Sequence, residues 1–273
     1  MSRPRGRPAV TRSGCLGPGL PYFCAGSGPP LVLLPGLSGH HRVPEGIELA
    51  LELGQVRPFA VSRTVWWITR RHGLPDGATM ADLAADYADV LHELFAEPVD
   101  VVGVSTGGSV ALQLALDRPE CVRRLVLVAG ACRLGPTGRA AQREYARLLA
   151  ARRPRSAGAL LMPLLAARPL TGRLLGALGW VLGPWTAGAA DPDVLATIAA
   201  EDAFDAGSRL PGLACPLLVV GGGRDRFYGP ALFSETSEAA PQGRLALYRT
   251  KGHLGTATDR RLGPDVRSFL DAP

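Results

Sequence analysis

A 273-residue chain in which 47 per cent of the residues are apolar has enough material to bury the core of one large α/β domain, or of one domain carrying an insertion. Four of the charges behind its net +6 come from Arg3, Arg5, Arg7 and Arg12, and no basic stripe interleaved with aromatics follows, which excludes an evident nucleic-acid surface. The five cysteines (Cys15, Cys24, Cys121, Cys132, Cys215) are odd in number, scattered and free of C-x-x-C spacing, which excludes a disulfide framework and a zinc site.

Residues 1–19, rich in proline, glycine and arginine, read as a disordered basic leader. They lack the apolar core of roughly 7 to 15 residues that a signal peptide needs, so a cytoplasmic protein is expected. Pro21 to Cys24 predicts a short edge strand, and Leu31-Val32-Leu33-Leu34 an unbroken apolar one, the kind that parallel sheets cover on both faces. The loop Pro35-Gly36-Leu37-Ser38-Gly39 comes next, with a backbone free to approach a ligand. A strand is expected near Phe59 to Trp67, with Trp66 and Trp67 in the packing. A helix from about Met80 to Phe95 presents Leu83, Tyr87, Val90, Leu91 and Leu94 as one apolar stripe.

Val99 to Val104 reads as a buried strand that runs through Ser105 into a helix over about Thr106 to Leu116. Gly103-Val104-Ser105-Thr106-Gly107 spans that turn. Glycine on either side of the serine relieves the collisions that so tight a turn creates, and lifts the hydroxyl out at the strand end beside the helix N-terminus. Leu125 to Ala129 is the next strand, so strands and helices alternate as in a parallel sheet with helices on both faces.

Residues 137–210 are helical in pattern, broken by proline and glycine, and predict an inserted helical cap. Their longest apolar stretch, Ala157 to Trp185, is interrupted by Pro163, Arg168, Pro169, Arg173 and Pro184, so no membrane span is expected. The sheet resumes with Leu217 to Val220, which leads to Asp225, and with Leu245 to Tyr248, which leads to His253; Pro264 to Leu270 closes the chain as a helix. Residues 20–136 and 211–273 together then make the core.

A serine hydroxyl needs a base to take its proton, and the base needs a carboxylate to hold its tautomer. Ser105, Asp225 and His253 each follow a predicted parallel strand, at the edge where open α/β sheets place their sites. In this order and over Tyr22 to Leu270, the chain resembles the α/β-hydrolase family. The resemblance implies Ser105 as nucleophile, His253 as general base and acid, Asp225 as orienting acid, and an oxyanion hole from the backbone N–H groups of Leu37 and Thr106. It also implies a hydrolase of carboxylic esters, lactones or thioesters. The loop after Leu34 departs from the family, with Pro-Gly where His-Gly is frequent.

Acyltransferases and cofactor-free haloperoxidases of the same family share the triad and stay open. Dehalogenases and epoxide hydrolases carry aspartate at the position of Ser105, and a binding-only relative would be expected to lack a triad member. No cofactor and no metal are expected: His40 and His41 read as a solvated loop pair without a carboxylate or cysteine at ligand spacing, His72 as loop and His92 as the polar face of its helix. Leu160, Leu161, Met162, Leu164, Leu165, Leu174, Leu175, Trp180, Val181, Leu182 and Trp185 predict an apolar roof over Ser105 and a neutral, hydrophobic small-molecule acyl substrate. The oligomeric state is not encoded in any pattern of the sequence.

Overall fold

Leu31 to Leu34 can be apolar without a break because the strand they belong to is covered on both sides. The computed structural model describes residues 8–39, 41–186 and 191–272. Within them the strand, β3 (Pro30–Leu34), lies between β4 (Thr64–Ile68) and β5 (Val99–Val104), both parallel to it. The sheet continues in parallel through β6 (Val122–Val128), β7 (Leu217–Gly222) and β8 (Gly243–Tyr248). On the other side it ends in β2 (Leu20–Gly26) and β1 (Val10–Leu16), both antiparallel to their neighbours. The order is β1-β2-β4-β3-β5-β6-β7-β8.

Alternation along each strand divides the core in two. Leu31, Leu33, Val102, Val126, Val128, Leu218 and Val220 face one layer, with Val56 of α1 (Gly46–Val56) and Val266 and Phe269 of α10 (Leu262–Leu270). Val32, Leu34, Val101, Leu125, Leu127, Leu217 and Val219 face the other, with α2 (Met80–Leu94), α3 (Thr106–Asp117) and α8 (Pro230–Ala239). Register keeps the sets apart: Leu33 pairs with Val102, Val102 with Val126 and Val126 with Leu218. A capping box starts α2, where the Thr79 hydroxyl accepts from the Asp82 N–H and the Asp82 carboxylate accepts from the Thr79 N–H.

Between β6 and β7 lie α4 (Pro136–Ala150), α5 (Pro154–Leu161), α6 (Pro169–Thr186) and α7 (Pro192–Ala203). Over residues 137–210 the described part consists of helices joined by short turns, and Asp205 makes an isolated bridge to Arg133. No helix is long and apolar enough to cross a membrane among the described residues.

Two expectations are corrected at the start of the chain. Residues 10–16, read as part of a disordered leader, form β1, and Pro21 to Cys24 belong to a longer β2 that is interior to the sheet. A turn at Gly17 and Gly19, both at positive φ, folds β1 back on β2. The ladder satisfies a backbone that composition alone marks as unstructured. The remainder of the leader, residues 1–7, lies outside the described residues, as does His40.

Candidate active site

Ser105 has φ 52 and ψ −122, a conformation that costs a residue with a side chain about 1 to 3 kcal/mol. The neighbouring glycines let the strand turn this sharply. A Cβ on Gly103 would stand 2.5 Å from the Gly107 carbonyl oxygen, and one on Gly107 would overlap the Leu34 carbonyl oxygen at the end of β3. The Ser105 N–H is held by the Val128 carbonyl oxygen at 2.9 Å.

His253 opens α9 (His253–Ala257), and its Nε2 lies 3.0 Å from Ser105 Oγ. Its Nδ1 lies 2.8 Å from Asp225 Oδ2. The other oxygen, Oδ1, accepts from the N–H groups of Phe227 at 2.8 Å and Tyr228 at 3.2 Å. With the Asp225 carboxylate acting as acceptor throughout, the proton of the pair belongs to Nδ1, which leaves Nε2 to accept from the serine hydroxyl. Phe227 packs on the imidazole at a ring separation of 4.6 Å, and Tyr228 stacks along it at 6.0 Å.

Behind the serine turn lies a fully buried carboxylate, Glu201 of α7. It accepts from Thr106 Oγ1 at 2.8 Å, Gln142 Nε2 at 3.0 Å, Ser109 Oγ at 3.1 Å and the Tyr228 hydroxyl at 3.3 Å. Two of these donors belong to the first turn of α3, where the positive end of the helix favours an anion. Burial, reinforced by Glu201 and Asp225, pushes the Tyr228 hydroxyl well above its usual range, so the phenol stays neutral and donates.

The loop after β3 has its own brace. Arg70, buried, donates to the Gly36 carbonyl at 2.8 Å and to that of Pro35 at 3.3 Å. His41 lines up behind it: Nδ1 donates to the Arg71 carbonyl at 3.0 Å, and Nε2 accepts from Arg70 Nε at 3.3 Å. Burial and the adjacent guanidinium push His41 down to about 3, which fits a neutral ring accepting from an arginine. A trans peptide carries its carbonyl and the next N–H on opposite sides, and no peptide among the described residues is cis, so the Leu37 N–H points away from Arg70. The adjoining Gly36 abuts the serine, since a Cβ there would be 3.4 Å from Ser105 Cβ. Thr106 is the first residue of α3, and its N–H has no acceptor within the helix.

A sequence model of the Alpha/beta hydrolase family matches residues 31–261. The chain belongs to that family. This alpha/beta hydrolase is 29% identical over 254 residues to BpoC of Mycobacterium tuberculosis, which carries a non-heme bromoperoxidase name, and the match covers 86% of this chain and 91% of that protein. A local match of 46% identity over 55 residues joins it to RutD of Yersinia enterocolitica, which carries a carbamate hydrolase name. That match spans only 20% of either chain. Among solved structures, MGS-M2, an alpha/beta hydrolase enzyme from a Medee basin deep-sea metagenome library, superposes with a TM-score of 0.80 at 15% identity, over 93% of this chain and 95% of that one.

The alpha/beta hydrolase fold brings Ser105, Asp225 and His253 together, and puts Leu37 and Thr106 on the loop and the helix that border the serine. The nearby carboxylates of Asp202 and Asp205 are engaged elsewhere, Asp202 with Arg143 and Asp205 beside Arg133. Two expectations are corrected here. His41 is buried rather than solvated, because Arg70 and the Arg71 carbonyl take both its nitrogens. Leu174, Trp180, Val181, Leu182 and Trp185, expected in the roof, are exposed on α6. Leu37 packs instead against a buried apolar cluster of Tyr145, Leu148, Leu149, Ala157, Val194 and Ile198, on which Leu160 and Leu161 also pack. Arg70, Glu201 and Tyr228 carry no signal in the sequence, since Arg70 stands beside Thr69 and Arg71, Glu201 beside Asp202, and Tyr228 beside Phe227 and Gly229.

Two other features of this hydrolase stand apart from the serine. Ligand atoms of His72, Asp191 and Asp193 come within 4.8 Å of one another, but Asp193 already accepts from the N–H groups of Gly73 and Leu74. A groove of about 540 Å³ opens at the opposite end of the sheet, beside Pro30, Val99 and Asp100. Its buried carboxylate, Asp100, is paired with Arg63 and Arg123.

Proposed function

We propose that this alpha/beta hydrolase cleaves carboxylic esters, or lactones and thioesters, of a neutral hydrophobic small molecule through an acyl-enzyme on Ser105. The observation that carries the reading is the unbroken relay from Asp225 through His253 to Ser105, at 2.8 and 3.0 Å. Ser105 Oγ attacks the acyl carbon as its proton passes to His253 Nε2, and Asp225 stabilises the resulting imidazolium. The oxyanion takes hydrogen bonds from the Leu37 and Thr106 N–H groups. Collapse breaks the bond to the leaving group, which departs with the proton from His253. Water then repeats the sequence in reverse, releasing the acid and restoring the serine.

The apolar cluster on which Leu37 packs, with Tyr145, Leu148 and Leu149 in it, supports an uncharged acyl group, each buried methylene adding up to roughly 0.8 kcal/mol. In this reading residues 137–210 act as the cap. A fluorophosphonate probe tests the nucleophile: it labels the wild type and not Ser105→Ala. A panel of p-nitrophenyl esters tests the substrate class, with kcat/KM rising from acetate to butyrate or hexanoate. A strict preference for acetate would defeat the hydrophobic acyl pocket while leaving the nucleophile in place.

The likeness to BpoC along most of both chains favours one further reading, in which hydrogen peroxide replaces water as the acyl acceptor and a peracid leaves. Peroxide-dependent bromination that disappears in Ser105→Ala separates the two.

A further inference from the structure

α6 is built inside out. Its buried positions are Gly172, Gly176, Gly179 and Gly183, one face of the helix occupied by glycine alone. These glycines let the backbone close on α5: a Cβ on Gly179 would overlap the Gly158 carbonyl oxygen, and one on Gly183 that of Pro154. The large apolar side chains point the other way. Leu170, Leu174, Leu178, Val181 and Trp185 are 70, 66, 45, 47 and 70 per cent exposed, and their spacing of four, four, three and four residues sets them in one stripe. A helix that meets only water is expected to carry the opposite arrangement, with the leucines turned inward.

The charge around the stripe identifies what covers it. From Tyr145 to Ala190 the chain has six arginines and neither aspartate nor glutamate. Arg152, Arg153, Arg155, Arg168 and Arg173 are all exposed, and among the described residues none forms a salt bridge with a carboxylate, although Arg153 lies near enough to Glu144 to act on it. The Arg155 guanidinium lies over the ring of Trp180, 4.5 Å from its centroid. A second copy of the chain, joined through a two-fold axis, would set this positive face against itself. A bilayer rich in anionic headgroups offers hydrocarbon to the stripe and phosphate to the arginines together.

We infer that the outward face of α6 docks this protein on an anionic phospholipid surface, with Leu174, Leu178 and Trp185 in the acyl boundary and the surrounding arginines on the headgroups. The helix lies in the plane of the surface, consistent with its not being long and apolar enough to cross a membrane. It begins two residues after Ala167, whose N–H abuts Gly252 beside His253, so docking holds one wall of the site close to the lipid. The inference does not depend on the hydrolytic reading, and its test uses Ser105→Ala to keep the two separate.

The experiment is flotation of the full-length Ser105→Ala protein with vesicles of phosphatidylcholine, alone or mixed with phosphatidylglycerol. Binding is expected on the mixed vesicles, accompanied by a blue shift of tryptophan emission that Trp185→Phe reduces. Adding Leu174→Glu and Leu178→Glu is expected to lower the partition coefficient at least about tenfold, with an unchanged circular dichroism spectrum because both side chains are on the surface. These changes leave the arginines of residues 1–19 intact, so undiminished binding by the double-glutamate protein would overturn the inference. Equal binding to the two kinds of vesicle would overturn the anionic partner. A dimer that the two glutamates dissociate, without any effect on vesicles, would give the face to a second copy and overturn the lipid surface.

Discussion

Arg70 holds the Gly36 carbonyl at 2.8 Å, and thereby turns the next amide, that of Leu37, away from itself. On the proposed mechanism that amide is an oxyanion donor, so Arg70 positions it without touching substrate. Arg70→Lys keeps the charge but loses the planar fork that reaches two carbonyls. It is expected to lower kcat by about 10- to 100-fold with little change in KM, because the lost interaction forms only in the transition state. Steady-state kinetics on p-nitrophenyl butyrate, with a melting curve to confirm folding, measure this. An unchanged kcat would remove Arg70 from the site.

Ser105→Ala and His253→Ala are each expected to lower kcat on the order of 10⁶-fold, and the double variant to add little, because the two residues act as one unit. Near-wild-type turnover by either single variant contradicts the assignment.

Asp225→Asn preserves the size of the side chain and reverses what it offers to Nδ1. It is expected to fold and to lose up to about 10⁴ in kcat, by favouring the histidine tautomer that cannot take the serine proton. Unchanged activity would mean that another group orients His253.

Glu201 accepts hydrogen bonds from α3, α4 and the segment after β7, so its removal strands several buried donors at once. Glu201→Ala is expected to cost about 3 kcal/mol or more of unfolding free energy, and Glu201→Gln less. Urea titration measures both, and a cost below about 1 kcal/mol for the alanine variant would show that the brace is unimportant.

His41 links pH to stability. Its folded value, pushed down to about 3 from 6.5, means that below 6.5 the unfolded chain binds a proton the folded one refuses. Its contribution is complete above that value and is lost as pH falls toward 3, a change on the order of a few kcal/mol. Glu52, pushed up to about 7 by burial, slopes the other way, so the comparison must be made between proteins. The wild type is expected to lose stability from pH 6.5 to pH 4 more steeply than His41→Gln. Parallel curves would show that His41 is charged in the fold.

The serine turn is legible in the chain because its demands are local: Gly103, Ser105 and Gly107 fall within five residues, and steric exclusion in a tight turn needs no distant partner. Asp225 and His253 are legible for a related reason, since each follows an apolar strand and parallel strands align their ends. Arg70 and Glu201 are not, because their partners stand 34 and 95 residues away in sequence, and a buried charge is defined by whatever the fold packs around it. β1 likewise becomes a strand only once β2 supplies its hydrogen bonds. α6 shows the division most plainly. Its sequence carries one stripe of glycine and one of leucine, and the ordinary rule buries the leucine. The close approach of α5 through Gly158 reverses the choice, because backbones that near each other leave no room for any side chain larger than hydrogen.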